Sequence, residues 1–284
     1  MCDDKQPNMG LDPAYSRRQF AGLIGAAGAV GLSGAAFAQA AVTETDVTVR
    51  TPDGTCDAVL FHPAGAGTWP GVLLWPDAGG LRPVKRDMGK RLAGQGYVVL
   101  VVNPYYRAGP AKEIAALNTQ VPEQAARRTA ARPTSDGAAR DAVALIAYLD
   151  ALKETSNAKV GVQGYCMGGA LSVRTAAAAP SRIGAVGSFH GGNGLVGADP
   201  ASPHLLFPST QARYLFATAR NDHESNPAVM PGLKEALDKA GRPGIVDLYQ
   251  ANHGWCVPDS AQYHQAEAER AWTALSAMYK QALV

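Results

Sequence analysis

Short apolar runs alternate with longer amphipathic stretches along most of the chain, and this alternation constrains the fold more than any other feature. The strand-like runs cover residues 47–49, 58–61, 72–75, 98–102, 159–163, 185–189, 214–217 and 245–249. The helix-like stretches cover residues 84–93, 136–153, 169–179, 228–240 and 261–282. Runs that are apolar throughout are typical of strands buried on both faces of a parallel sheet. The sequence therefore predicts one α/β domain with a mostly parallel, doubly wound sheet flanked by helices.

Two connections in this pattern carry further information. The segment TPDG at 51–54 separates the first two strand-like runs and predicts a turn between antiparallel strands. Residues 107–133 are rich in alanine and arginine and contain no clear strand. We interpret them as a helical excursion over the edge of the sheet that carries the site, because connections of this length in compact domains are usually functional or mobile.

The N-terminus has the organisation of a signal peptide. The segment SRRQF, which contains Arg17 and Arg18, precedes an alanine- and glycine-rich stretch at 21–35 and a small-residue site that ends at Ala38. Paired arginines in this position resemble a twin-arginine signal, which directs folded proteins to export. A membrane anchor is the alternative, but the stretch is short and glycine-rich for a span. We expect removal of residues 1–38 and a mature periplasmic domain at 39–284, with the twin-arginine machinery as partner and no stable membrane insertion.

The charge balance and the cysteine content exclude some kinds of partner and metal site. The chain has 26 Lys and Arg against 24 Asp and Glu, and the region after the signal contains no basic block, so nucleic acid is not an expected partner. The cysteines and histidines lack the paired short spacing of a zinc site, so no metal is expected. Removal of Cys2 with the signal leaves Cys56, Cys166 and Cys256. A disulfide between Cys56 and Cys256 is one possibility, and a packing role for Cys256 is the other.

The segment GYCMGG at 164–169 places a thiol between a strand-like run and a helix-like stretch. Glycine at 164 and 168 around Cys166 reproduces the nucleophile elbow, in which a strained turn needs small neighbours so that strand and helix can pass closely. The turn would expose Cys166 at the carboxyl edge of the sheet, and the first amides of the helix would favour a thiolate and bind an oxyanion. A small buried thiol at a glycine-rich bend is the alternative interpretation.

A base and an acid follow Cys166 in the order that this arrangement requires. Asp222 comes directly after one later strand-like run, and His253 comes after the next one. In α/β sheets of this kind the nucleophile, acid and histidine occur in that chain order. His223 and Glu224 compete with Asp222 for the role of the acid. The sequence thus predicts a catalytic triad of Cys166, Asp222 and His253.

From about residue 42 to the C-terminus the chain resembles the dienelactone hydrolase (carboxymethylenebutenolidase) family. The resemblance rests on GYCMGG at 164–169, on Asp222 followed by Pro227, and on the segment HGW at 253–255. It implies an α/β-hydrolase fold with Cys166 as nucleophile, His253 as general base and acid, and Asp222 as the group that fixes the imidazole tautomer.

The resemblance also implies an oxyanion loop in the segment PDAGGLRP at 76–83. By that similarity the backbone amides of Ala78 and Met167 would bind the oxyanion. Asp77 stands where well-known members have a glutamate that controls ionisation of the thiol. Aspartate is shorter, so a role for Asp77 as a turn-capping residue is the alternative.

Several further side chains are candidates for substrate binding. Arg107, in the segment NPYYR with Tyr105, matches a family arginine that grips the substrate carboxylate in a charge-assisted pair. A second such arginine is absent after the histidine, where the chain reads CVP, so a broader ester or lactone is also possible. Trp75 and Trp255 either line the acyl pocket or fill the core. His190 either faces the pocket or hydrogen-bonds to the backbone.

Together these features predict a hydrolase, of the carboxylic ester class, that opens a lactone or cleaves an activated ester of a small molecule through a thioester acyl-enzyme without a cofactor. The alternative is a non-hydrolytic binding or acyl-carrier protein with the same fold, in which the thiol is a handle. The presence of histidine and aspartate favours the enzyme, because binding alone does not require a triad.

Overall fold

The computed structural model describes residues 41–117 and 120–283. The predicted signal peptide at 1–38 lies outside the described residues. Within the described ranges, none of the helices is both long enough and apolar enough to cross a membrane.

Eight strands form a single sheet in the order β1-β2-β4-β3-β5-β6-β7-β8. The strands are β1 Val42–Thr51, β2 Gly54–Pro63, β3 Gly71–Trp75, β4 Val98–Val102, β5 Val160–Tyr165, β6 Ile183–Phe189, β7 Arg213–Ala219 and β8 Gly244–Tyr249. β2 pairs antiparallel with β1 and with β4, and the remaining pairs are parallel. The eight strand-like runs, the hairpin at TPDG and the mostly parallel sheet are confirmed.

The helices are α1 Pro83–Ala93, α2 Ala111–Ala115, α3 Pro122–Ala130, α4 Ser135–Asp150, α5 Met167–Ala178, α6 Arg220–Ser225, α7 Val229–Ala240 and α8 Gln265–Ala282. The last helix begins later than the periodicity indicates, because the side chain of His264 accepts a hydrogen bond from the Glu267 amide and caps it. The interpretation of 107–133 as a helical excursion fits α2 and α3, and α3 buries none of its residues.

Successive side chains of each strand point to opposite faces of the sheet, which creates two cores. One core packs against α1 and α8, and the other packs against α4, α5 and α7. Cys56 lies in the second core and Cys256 in the first, so the sheet separates them. Cys56 and Cys256 are buried, Cys166 is half-buried, and all three thiols are free. The disulfide alternative is therefore wrong, and Cys256 is a packing residue.

The parallel strands end at one edge of the sheet, and the candidate residues are found there. β5 ends directly before Cys166, and β6 ends directly before His190. Asp222 follows β7 within α6, and His253 follows β8. Because β5, β6, β7 and β8 are neighbours in sheet order as well as in sequence, their ends bring these side chains together.

Candidate active site

Cys166 occupies a strained turn between β5 and α5. Its φ of 55° and ψ of −120° fall in a region that residues with a side chain rarely adopt. A Cβ atom on Gly164 would collide with the carbonyl of Gly168, and one on Gly168 would lie 2.5 Å from the carbonyl oxygen of Trp75. The Cys166 amide donates a hydrogen bond to the Phe189 carbonyl at 3.0 Å. The two glycines and the neighbouring strand thus hold the thiol in its strained position.

His253 lies between Cys166 and Asp222. Its Nδ1 is 2.8 Å from Asp222 Oδ2. The other side of the ring interacts with the Cys166 thiol, and this interaction lowers the pKa of the thiol. The His253 amide donates to Asn221 Oδ1 at 2.8 Å, which fixes the loop that carries the ring. Glu224, which competed with Asp222 in the sequence, instead faces Arg220 at 3.8 Å. The structure therefore brings Cys166, His253 and Asp222 together at one edge of the sheet, with Asp222 hydrogen-bonded to His253 and Cys166 beside His253 in the same cavity.

The hydrogen bonds of His253 shift the ionisation of both groups. Bonds to Asp222 and to Cys166 raise the pKa of His253 to about 10, against the effect of its burial. Burial raises the pKa of the Cys166 thiol, but the hydrogen bond and charge of His253, with a bond from the Met167 amide, outweigh it. The net pKa of Cys166 is therefore below its ordinary value of 9.0. This combination favours a thiolate paired with an imidazolium.

Asp77 is the second residue of the predicted oxyanion loop, and its carboxylate has several partners. Its Oδ1 accepts hydrogen bonds from the Gly79 amide at 2.7 Å and from Arg82 Nη1 at 2.6 Å. Its Oδ2 lies 2.9 Å from Nζ of Lys85, which is fully buried. Burial raises the pKa of Asp77, but the charges of Lys85 and Arg82 outweigh it and hold the pKa well below its usual range. Asp77 thus caps the turn, and its charge weakly opposes ionisation of the thiol.

Tyr105 supports the same loop. Its hydroxyl donates to the Ala78 carbonyl at 2.9 Å and lies 3.5 Å from Sδ of Met167. Burial is the main cause that raises the pKa of Tyr105 to about 12. The side chain has no exposed surface, so the expectation that it binds substrate is corrected: it bridges the two segments that carry Ala78 and Met167.

Both tryptophans fill the core. Trp255 is fully buried and stacks on Tyr249 with ring centroids 4.5 Å apart. Trp75 is also buried and donates its indole N–H to Thr175 Oγ1 at 2.9 Å. The expectation that Trp255 takes part in substrate binding is therefore corrected, because neighbouring aromatic rings and the sheet enclose it.

Arg107 lies away from the thiol. Its two terminal nitrogens form a bidentate pair with Asp141 at 2.9 and 2.8 Å, and one of them also contacts Asp53 at 2.6 Å. Asp141 is buried and also accepts from the hydroxyl of Tyr106 at 2.6 Å. The expectation that Arg107 grips a substrate carboxylate is corrected, since a buried aspartate requires this guanidinium as its partner.

A cavity of about 420 Å³ opens beside Cys166. Its lining residues come from the oxyanion loop, the ends of β5, β6 and β8 and the excursion: Asp77, Ala78, Gly79, Arg82, Ala115, Arg128, Cys166, His190, His253, Gly254, Val257, Asp259 and Ser260. Arg128, from α3, was missed by the sequence analysis, and the arginine-rich composition of 107–133 was its only signal. One of its terminal nitrogens donates to the Ile114 carbonyl at 2.7 Å, which holds α3 against α2.

His190 also faces the cavity and is not the backbone-bonded loop residue that was the other interpretation. Its ring nitrogens are buried and lack a hydrogen-bond partner among the described residues. The ring packs edge-on against His253 with centroids 4.7 Å apart. Burial, with the charges of His253 and Lys85, holds the pKa of His190 well below its usual value of 6.5. At neutral pH the His190 ring is therefore uncharged, and it packs against the ring of His253.

Comparison with known proteins identifies the family to which this site belongs. The model of the dienelactone hydrolase family matches residues 56–283. The chain belongs to the dienelactone hydrolase family. A Synechocystis sp. protein assigned as a carboxymethylenebutenolidase is 27% identical over 245 residues, which cover 84% of this chain and 97% of that protein.

Solved structures of dienelactone hydrolases share the fold. A Klebsiella pneumoniae protein assigned as a dienelactone hydrolase has a TM-score of 0.73 at 20% identity, over 85% of this chain and 99% of that one. A metagenomic dienelactone hydrolase-like promiscuous phosphotriesterase has a TM-score of 0.69 at 22% identity, over 86% and 100% of the two chains. The α/β-hydrolase fold predicted from the sequence is confirmed, and the protein is a hydrolase of the dienelactone hydrolase family.

Proposed function

We propose that this dienelactone hydrolase family member cleaves a lactone or an activated carboxylic ester through a thioester acyl-enzyme on Cys166. The observation that carries the proposal is the grouping of Cys166, on its strained turn, with His253 in the lining of one open cavity, where Asp222 binds His253 Nδ1. A thiol whose pKa is lowered by a histidine, and a histidine whose ring is held by a carboxylate, are the two requirements of an activated nucleophile.

In the proposed reaction the Cys166 thiolate attacks the substrate carbonyl, and the carbonyl π electrons move to oxygen. The amides of Ala78 and Met167 bind that oxyanion, and each such donor contributes about 3 kcal/mol to the transition state. As the tetrahedral intermediate collapses, the alkoxide or enolate leaves and takes the proton of His253. His253 then removes a proton from water, the resulting hydroxide attacks the thioester, and the acid departs as the thiolate is restored.

Leaving-group chemistry limits the substrate class. A thiolate is a better leaving group than an alkoxide or an amide anion, so the intermediate returns to substrate unless the departing oxygen is stabilised. Enol esters, enol lactones and aryl esters meet this requirement, whereas amides do not. We therefore propose such esters and lactones, from the class of small-molecule carboxylic esters, as substrates.

A direct test measures steady turnover and intact mass across a panel of aryl esters and enol lactones. Sustained product release together with a transient acyl adduct on Cys166 is the expected result. A single stoichiometric burst that ends in a stable thioester would contradict the proposal and support the alternative, an acyl carrier that keeps the fold. Binding without any adduct would contradict both.

The positions of Arg128 and Arg127 predict different effects on anionic substrates. Arg128 lines the cavity, so Arg128→Gln is expected to raise KM for an aryl ester that bears a carboxylate by about tenfold, since a charge-assisted hydrogen bond contributes about 1.5 kcal/mol or more. The KM for the matched neutral ester should change little. Arg127→Gln is the matched control, because Arg127 lies beside Arg128 on α3 but is exposed and donates to the Ala108 carbonyl. An equal effect of both variants on the anionic ester would contradict this assignment.

We also propose that the precursor is exported to the periplasm by the twin-arginine pathway. The support is the SRRQF segment with its apolar stretch and the Ala36-Phe37-Ala38 site. Conversion of Arg17 and Arg18 to lysine is expected to leave full-length precursor in the cytoplasm of a bacterial host, as judged by fractionation and mass. Arg50→Lys, an exposed change in β1, is the control and should be exported normally. Export of the double variant at the normal level would contradict the proposal.

A further inference from the structure

Lys85 is a fully buried cation beneath the candidate site. It lies on α1, where an apolar stripe that includes Met88 and Leu92 faces the core, and its side chain has no exposed surface. Lysine is almost never fully buried unless its charge is paired. No sequence motif singled out Lys85, although a lysine that interrupts an apolar stripe was a usable signal.

The ammonium group of Lys85 contacts two different segments of the site. Its Nζ is 2.9 Å from Asp77 Oδ2 and lies 4.3 Å from the centroid of the Tyr165 ring, in a cation–π contact. Asp77 directly precedes Ala78 in the oxyanion loop after β3. Tyr165 directly precedes Cys166 and lies two residues before Met167. A single charge from α1 is thus joined to both segments that carry the proposed oxyanion donors.

These two segments need an external constraint. An oxyanion hole works only when both amides lie within about 3 Å of the position that the oxyanion will occupy. The loop after Asp77 contains Gly79 and Gly80, which have little intrinsic stiffness, and Gly80 has a φ of 72°. Arg82 also binds Asp77, but its other partners are the Gly80 carbonyl, at 3.3 Å in the same loop, and the exposed side chain of Asp259, at 2.7 Å. Of these two cations, Lys85 is the one that contacts the elbow as well as the loop.

We propose that Lys85 is a positioning residue that sets the spacing of the Ala78 and Met167 amides by binding Asp77 and Tyr165 at the same time. This inference rests on the proposed function, because it concerns the oxyanion hole of that reaction. Tyr105 bridges the same two segments through the Ala78 carbonyl and the Met167 sulfur. The oxyanion hole is then held by Lys85 as well as by Tyr105.

The test separates oxyanion binding from the reactivity of the thiol. Lys85→Met keeps the length of the side chain and removes the charge. We expect its kcat for a p-nitrophenyl ester to fall about 100-fold, the usual effect of an impaired oxyanion donor. Alkylation of Cys166 by iodoacetamide forms no oxyanion, so its rate at the alkaline plateau should stay at the wild-type value. Mass spectrometry of the Cys166 peptide distinguishes it from the buried Cys56 and Cys256.

Two further variants test the same point. Arg86→Gln changes the next residue of α1, which pairs with Glu44 and Asp46 at the surface, and it should leave both rates unchanged. Asp77→Asn combined with Lys85→Met removes both members of the buried ion pair, and Arg82 keeps Asp259 as its partner. The kcat of this double variant should nevertheless remain low, because the link to Tyr165 is still missing.

The outcomes are distinct. Three results would overturn the role of Lys85. One is a kcat of Lys85→Met close to that of the wild type, and another is a wild-type kcat in the double variant. The third is a fall of the alkylation plateau in parallel with kcat. Normal turnover by the wild type together with any of these results leaves the proposed function intact. Absence of turnover by the wild type overturns the proposed function, and the inference on Lys85 with it.

Discussion

Replacement of Cys166 by alanine is expected to abolish ester turnover and to remove the acyl adduct from the intact mass spectrum. In the proposed mechanism the sulfur of Cys166 forms the covalent intermediate, and alanine provides no substitute nucleophile at this position. Removal of a nucleophile in a comparable triad lowers kcat by about 10⁶-fold and leaves only the contribution of the oxyanion hole and binding. The measurement is steady-state hydrolysis of an aryl ester, with intact mass after rapid quenching.

The matched control is Cys56→Ala. Cys56 is a buried thiol in the core on the opposite face of the sheet from α1, and burial is the main cause that raises its pKa to about 12. It is therefore unreactive at neutral pH, and its replacement should change kcat little. Turnover by Cys166→Ala at a rate near that of the wild type would exclude the proposed mechanism, whatever the control shows.

Asp222→Asn should cause the second largest loss. The carboxylate holds the ring of His253 through Nδ1 at 2.8 Å and is the main cause of its raised pKa. An asparagine cannot accept from Nδ1 in the same charged bond and allows the wrong tautomer, which lowers kcat by as much as about 10⁴-fold in comparable triads. Hydrolysis of the same aryl ester at saturating concentration measures this effect.

The same substitution has a predictable effect on pH dependence. Without Asp222 the pKa of His253 falls from about 10 toward its ordinary 6.5, so less imidazolium is available near neutral pH. Because that charge lowers the pKa of Cys166, the thiol pKa rises and the acid limb of Cys166 alkylation moves to higher pH. Glu224→Gln is the control, since Glu224 faces Arg220 and should leave the limb in place. An unmoved limb in Asp222→Asn would contradict the assigned coupling.

Strain at this edge of the sheet is concentrated at two positions. Cys166 and His190 are the residues other than glycine with positive φ in the described part of the chain, at 55° and 39°. Such conformations cost about 1–3 kcal/mol each. Each is held by its neighbouring strand, because the Cys166 amide donates to Phe189 and the His190 amide donates to Ala217 at 2.8 Å. The hydrogen-bonded sheet thus stabilises the geometry that places both side chains against His253.

The fold and the grouping of Cys166, Asp222 and His253 were largely predictable from the sequence. Apolar runs identify buried strands because their residues are in contact with both cores, and this signal is local. GYCMGG identifies the turn because two close backbone approaches exclude side chains at 164 and 168. The ends of parallel strands share one edge, so the order of Cys166, Asp222 and His253 along the chain was sufficient to predict that they meet.

The partners of charged side chains were decided by the tertiary structure alone. The sequence motif placed Arg107 at the substrate, but Asp141, buried and 34 residues away, binds it instead. Lys85 and Asp77 pair across the start of α1, and Arg128 reaches the cavity from an excursion without a strand. A long charged side chain can reach several different partners. Burial decides which partner it binds, because a charge removed from water is stable only beside an opposite charge. Local sequence determines the backbone that carries these groups, whereas their partners depend on which segments the fold packs together.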